Sequence, residues 1–391
     1  PMRWDLFCRV IDNYGDLGVC RRLAADLHRL GESVRLWVDD AELARRMVDP
    51  HEGVALVDWQ DPAPDLMPGD VVVEAFGCDP PETFVQRMAD QARRGIPPVW
   101  INLEYLSAEA YVARSHGLPS PQFSGPGRGL TKWFFYPGFT AQTGGLIREE
   151  GLLQARQAWE AQRAHNRREW LAQWGEPPQP DEQVISLFAY ASAPIEDLLE
   201  TWAQDGQSRW LLVAQGPLQE RVQQWVQHRT NQAAAGSGLR GAIRATSLPW
   251  LHHQEFDHLL WACDLNLVRG EDSLVRALWA GQPFLWQLYP QSDGAHAPKL
   301  EAFLDAFEQG ATGARPSAES STQAGTEQQA TRGVGLGLDR TLWRAWNGLQ
   351  ALEPQCWASH ARIEPCTSGQ VQAWRHRLAE QSSLTRQLLD F

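Results

Sequence analysis

Short apolar runs alternate with amphipathic stretches along this chain, and the alternation happens twice, on either side of the proline-rich break "EPPQPDEQ" (176–183). In the first series, residues 4–10 read as a strand, 18–30 as a helix and "SVRLWV" (33–38) as a strand. "DVVVEAF" (70–76) then reads as a continuously buried strand, "ETFVQRMADQARRG" as a helix closed by Gly95, and "PVWINLEYL" as a further strand. A long helical pattern at 152–175 leads into the break. In the second series "VISLFAY" (184–190), "RWLLVAQ", "IRATS", "DLNLV" (264–268) and "PFLWQLY" read as strands with helical patterns between them. Strand and helix in strict alternation imply parallel sheets covered by helices on both faces.

A chain of 391 residues exceeds one ordinary core. Two Rossmann-like domains are expected, 1–178 and 179–366, with a last helix at 367–391 packing back onto the first. The stretch 310–337, rich in Gly, Ser, Thr, Ala and Gln, is expected to be a mobile insertion. Two such domains facing across a cleft are the GT-B plan of nucleotide-sugar glycosyltransferases, although oxidoreductases and periplasmic binding proteins share its outline. The fold class expected is thus α/β, GT-B. No apolar run reaches the about 18 residues of a membrane span, and "PMRWDLFC" carries no secretory pattern. Six cysteines without a C-x-x-C pair fit a reducing, cytoplasmic setting. A net charge of −13 disfavours nucleic acid as the main partner.

Two strand-to-helix turns carry the chemistry. In "VIDNYGDLGVC" (10–20) the turn bears Asp12 and Asp16, where a dinucleotide fold would hold a pyrophosphate on G-x-G-x-x-G. Carboxylates repel phosphate, so this turn suits a cationic ligand; the structural alternative is an Asx turn at Asp12 and a helix cap at Asp16. In "DLNLVRGEDSLVRALWAG" (264–281), Arg269 and Gly270 precede a helix opened by Glu271, Asp272 and Ser273. A helix N-terminus offers N–H groups and partial positive charge to a diphosphate. Asp272 or Ser273 is equally readable as a plain cap. Phe188 and Tyr190, two residues apart at a strand end, are placed either to stack on a base or to fill the core, and Tyr289 ends the neighbouring strand.

These segments, with "VVVEAFGC", "WINLEYLSAEAYV", "HGLPSPQ", "FFYPGFT", "TGGLIRE" and "KLEAFLDAF", resemble the protein-arginine rhamnosyltransferases of bacterial elongation factor P, the EarP family. The resemblance implies dTDP-β-L-rhamnose as donor, an arginine of elongation factor P as acceptor and an inverting transfer; no metal or cofactor is expected. It places the donor on Phe188, Tyr190, Trp250, His253, Phe256, Arg269, Asp272, Ser273 and Tyr289, with Glu271 close to the reaction. Trp250 stands where the family pattern has phenylalanine, and His253 where it has glutamine. Asp12 and Asp16 become acceptor-side carboxylates: Asp16 as base, Asp12 as clamp or orienter, and Glu271 positioning guanidinium or sugar. A guanidinium, with a pKa near about 13, must be gripped, desolvated and relieved of a proton before it attacks. Glu74, Glu104, His116, Arg148 and Glu149 also sit near element ends, as structural groups or partner contacts.

Other readings stay open at this point: a GT-B transferase of another nucleotide sugar with a small-molecule or glycan acceptor, or a non-catalytic nucleotide-sugar adaptor. A nicotinamide oxidoreductase is disfavoured because both halves lack G-x-G-x-x-G. His252, His253 and His258 form a poor ligand set on one helix, which disfavours a metal.

Overall fold

A computed structural model describes residues 1–11, 15–59, 66–236, 242–313, 338–360 and 365–391. The first half builds one sheet from β1 (Arg3–Cys8), β2 (Ser33–Val38), β3 (Ala55–Asp58), β4 (Val71–Ala75), β5 (Val99–Leu103), β6 (Pro119–Pro121) and β7 (Thr131–Phe135). Its order is β3-β2-β1-β4-β5-β7-β6, parallel throughout except for the β6–β7 pair. The second half builds a parallel sheet from β8 (Gln183–Leu187), β9 (Arg209–Val213), β10 (Ile243–Ser247), β11 (Leu265–Arg269) and β12 (Phe284–Gln287), in the order β10-β9-β8-β11-β12. Central strands such as β4 and β11 are buried along their whole length, as sheets sandwiched between helices require.

Both sheets reverse their strand order once, between β1 and β4 in the first and between β8 and β11 in the second. At such a switch point the flanking loops run to opposite sides and leave a crevice at the carboxyl ends of the strands. The two crevices are bordered by helices Gly15–Arg29 and Gly270–Ala280, and these helices pack on each other. A Cβ added at Gly18 would lie 3.3 Å from the Cβ of Asp272. The absence of a side chain at Gly18 is what allows that approach. This is the two-Rossmann, GT-B arrangement.

Ion pairs weld the contact. Arg22 Nε lies 2.6 Å from Asp272 Oδ1 and its Nη1 3.8 Å from Glu149. Arg276 reaches Glu149 and Asp257, both at 2.7 Å. Burial alone would raise the carboxyl of Glu149, but Arg276 and Arg22 outweigh it and hold it at about 2.

Packing divides the chain differently from the 178/179 linker. The helical pattern at 152–175 is two helices, Leu152–Ala161 and Arg163–Ala172, broken at Gln162. Asn166 Nδ2 donates to the carbonyl of Trp159 at 2.9 Å, competing with the helical bonding pattern there. Both helices lie on the second half, for a readable reason: Arg156, Arg163 and Arg167 donate to the carbonyls of Ala280, Trp261 and Ala262. Those carbonyls end helices Gly270–Ala280 and His253–Ala262, where acceptors lack intrahelical donors. The tail is likewise two helices. Ser368–Ala379 sets Trp374 against Phe303 and Phe307 of the second half. Leu384–Asp390, capped by Ser383, buries Leu384 and Leu388 in the first half's core. The insertion expected at 310–337 overlaps the end of helix His296–Thr312, and its remainder from 314 lies outside the described residues. Among the described residues no helix is long and apolar enough to cross a membrane.

Candidate active site

β11 ends at Arg269 in extended geometry (φ −134°, ψ 152°), and Gly270 then turns at φ 64° to open the helix. That positive φ suits glycine. The Gly270 carbonyl accepts from Trp286 Nε1 at 2.7 Å, which fixes the turn. Ser273 Oγ accepts from the Arg269 amide at 3.0 Å and donates back to the Arg269 carbonyl. The sequence offered this hydroxyl as a phosphate ligand; the structure has it bridging the backbone of the residue before the helix.

β8 stops at Leu187, so Phe188 and Tyr190 lie on the outgoing loop rather than within the strand read at 184–190. The loop is held by Phe188 N donating to the Leu267 carbonyl at 2.9 Å and Tyr190 N to Gln287 Oε1 at 2.8 Å. The Arg269 guanidinium sits over both rings, 4.3 Å from the centre of Phe188 and 4.5 Å from that of Tyr190. Phe256 meets Phe188 edge-on at 5.9 Å, and Tyr289 meets Tyr190 edge-on at 5.6 Å. Phe188, Tyr190, Trp250, His253, Phe256, Arg269, Asp272 and Ser273 line one cavity, whose far wall is Gly15, Gly18, Arg21 and Arg22 of the first half. His253 Nδ1 stands 2.9 Å from Glu52 and 3.2 Å from Arg21 Nη1, so it also ties the two halves together. Asp272 faces Arg22, as described above.

The acids occupy a second cavity, of about 240 Å³, on the other side of the same helix N-terminus. Asp16, Glu271 and Tyr289 line it together with Ile11, Phe76, Tyr105 and Lys299. Asp16 is buried in the first turn of its helix, with Oδ2 accepting from the Ile11 amide at 3.1 Å across the turn. Glu271 Oε1 accepts from the Leu106 amide at 2.9 Å and lies 3.5 Å from Lys299 Nζ. Burial lifts the Glu271 carboxyl to about 7, against the pull of Lys299 and the Leu106 amide, and the nearby Asp16 charge pushes the same way as burial. Asp12 lies outside the described residues.

The structure thus brings Asp16 to Glu271 and gathers the aromatic, Arg269 and Asp272 positions across the helix from them. Sequence reasoning missed Arg22, Phe76, Tyr105 and Lys299. Of these, Phe76 and Tyr105 end or follow apolar strands beside Glu74 and Glu104, and Lys299 opens the segment "KLEAFLDAF", but none of these contexts shows that the side chain reaches the site. Glu149 proves to be the hinge of the ion network, while Glu74 is fully buried beside Lys132 at 2.9 Å. Among the described residues there is no group of three or more His, Cys, Asp or Glu placed to hold a metal ion.

Known proteins similar to this chain in sequence and in shape agree with one another. The sequence profile of the family described as "Elongation-Factor P (EF-P) rhamnosyltransferase EarP" matches residues 4–391. The protein-arginine rhamnosyltransferase of Pseudomonas putida is 40% identical over 99% of this chain and 98% of its own. That of Pseudomonas aeruginosa is 38% identical with the same coverage. A solved structure described as "Structural basis for EarP-mediated arginine glycosylation of translation elongation factor EF-P" is 30% identical. It covers 100% of this chain and 98% of its own, with a TM-score of 0.60. With the profile spanning nearly every residue and two relatives near 40% identity, the chain belongs to the EarP family of elongation factor P rhamnosyltransferases.

Proposed function

We propose that this protein is a protein-arginine rhamnosyltransferase that moves rhamnose from dTDP-β-L-rhamnose to an arginine side chain of translation elongation factor P, with inversion and without a metal ion. The observation that carries the reading is the pair of cavities flanking one helix N-terminus, aromatic and cationic on one side and acidic on the other. The thymine stacks in the cavity of Phe188, Tyr190 and Phe256, with Trp250 and His253 on its wall. The diphosphate lies at the N-terminus of helix Gly270–Ala280, where the helix dipole and Arg269 offset its charge. Tyr289, exposed on the wall of the acidic cavity and edge-on to Tyr190 of the aromatic one, faces the sugar.

The acceptor guanidinium enters the acidic cavity. A guanidinium nitrogen forms its bond to the sugar's anomeric carbon from the face opposite the diphosphate, the carbon–oxygen bond to phosphate breaks, and dTDP leaves with the electron pair. Asp16 takes the proton, Asp12 clamps or orients the guanidinium, and Glu271 positions it against the sugar. General-base action of this kind contributes about 10²–10⁴-fold. The stereochemical course is read directly by NMR of the product: the inverting reading requires an α-linked rhamnosyl-arginine, and a β-linkage overturns it.

Three further results are expected. Because helix and arginine charge balance the diphosphate, turnover persists in excess EDTA; loss that Mg²⁺ or Mn²⁺ restores contradicts this. Phe188→Ala removes a stacking face worth about 1–3 kcal/mol per base. The dTDP-induced rise in melting temperature should shrink accordingly, and an unchanged rise places the base elsewhere.

The last concerns pH. The folded protein holds the Glu271 proton more tightly than the unfolded chain does. Its contribution to stability is therefore complete below the ordinary value of 4.5 and lost as pH rises to about 7. If the ionised form positions the guanidinium, kcat/KM climbs through about pH 7. Glu271→Gln should flatten that limb and shrink the loss of melting temperature across the same window. A variant that keeps the wild-type profile removes Glu271 from the reaction.

A further inference from the structure

Lys299 belongs to none of the positions that the donor or the acceptor-side acids occupy, yet it points into the acidic cavity. Carried on helix His296–Thr312, its Nζ lies 3.5 Å from Glu271 Oε1 and 5.6 Å from the centre of the Tyr105 ring. Tyr105 is stacked on Phe76, with ring centres 4.2 Å apart and planes 10° from parallel. Phe76 holds φ at 57°, a left-handed conformation that L side chains rarely adopt. Its backbone is pinned there: the Phe76 amide donates to the Leu103 carbonyl at 2.6 Å, and the Gly77 amide to Asn102 Oδ1 at 3.1 Å. Strained backbone at a switch point is retained where the geometry it enforces has a use. Here it presents a flat aromatic pair at the mouth of a cavity that holds two carboxylates.

An aromatic face with a carboxylate at its edge offers the two contacts a guanidinium makes best, stacking on the plane and charge-assisted hydrogen bonds within it. An ammonium makes both contacts less well, because it is a compact point charge with no plane to stack. We propose that Lys299 is a resident cation that holds the place of the acceptor arginine, and that the incoming guanidinium displaces it from Glu271 and lies on the Tyr105–Phe76 stack. This rests on the reading that the acidic cavity receives an arginine side chain. Until then the lysine gives Glu271 a counter-charge beside Asp16, and the arriving guanidinium takes over that role. It also makes Lys299 a competitor of the substrate, which a purely structural lysine is not.

Competition has a distinctive signature in a two-variant series. Because Lys299 pulls the Glu271 carboxyl down and its removal leaves burial less opposed, steady-state kinetics with the acceptor factor and dTDP-rhamnose are compared on the alkaline plateau of each variant's own pH profile. Lys299→Met removes the competitor and lowers the acceptor KM about threefold or more, a larger change than in kcat. Lys299→Arg installs a guanidinium that stacks and pairs better than lysine, and it raises the acceptor KM. A structural lysine gives the reverse order, with arginine rescuing and methionine impairing, and that order overturns the proposal. Tyr105→Leu keeps apolar bulk without a stacking face, and it raises the acceptor KM about tenfold while the dTDP-induced melting shift stays at the wild-type value. An unchanged acceptor KM in Tyr105→Leu also overturns it. Failure of the underlying reading looks different: wild type then leaves arginine unmodified. When wild type modifies arginine and Asp16→Asn does not, a reversed Lys299 series sinks this inference alone.

Discussion

Asp16→Asn is expected to lower transfer by at least about 10³-fold while leaving the dTDP-induced rise in melting temperature intact. The carboxamide is nearly isosteric and can still accept from the Ile11 amide, the contact that Asp16 Oδ2 makes at 3.1 Å. It cannot accept the proton of a guanidinium. The nucleotide-side residues line a different cavity from the one that holds Asp16, so donor binding should not register the change. Should Asp16→Asn lose a fraction of its stability yet transfer at a normal rate, Asp16 is a structural residue of its turn and the base lies elsewhere.

Arg276→Met is expected to cost about 3–5 kcal/mol of stability. Arg276 is buried, and its guanidinium serves two carboxylates at once, buried Asp257 and partly buried Glu149, from different parts of the chain. Methionine fills similar space but leaves both acids without that partner. The same network fixes the sign of the acid limb. Glu149 is held at about 2, below its ordinary value of 4.5, so its contribution is present above pH 4.5 and lost as pH falls toward 2. Arg276→Met should therefore show a shallower loss of melting temperature across that window than wild type. An equally steep loss in the variant would mean that other groups govern acid unfolding.

Much of this architecture is legible in the amino-acid sequence. Strands such as "SVRLWV" and "DVVVEAF" are apolar runs bounded by polar turns, and β2 and β4 fall on them within a residue. The loops after β1 and β11 follow from the same alternation, which is why Asp16, Arg269 and Glu271 stand out as site residues. Side-chain destinations are less legible. Ser273 reads as free to bind phosphate because nothing in the sequence shows its hydroxyl folding back on Arg269. Arg22 reads as one more polar position on an amphipathic helix, since its partners Asp272 and Glu149 come from distant parts of the chain. Lys299 is hidden for the same reason. The breaks at Gln162 and before Ser383 escape a sequence reading because neither glycine nor proline marks them; a side-chain bond to a carbonyl and a serine cap make them instead.

Incubation of elongation factor P with this protein and dTDP-β-L-rhamnose, followed by intact-mass and fragmentation analysis of the factor, tests the central claim most directly. The predicted result is the addition of one deoxyhexosyl group on a single arginine, abolished when that arginine is replaced by lysine. An unmodified factor, or sugar on another residue type, contradicts it.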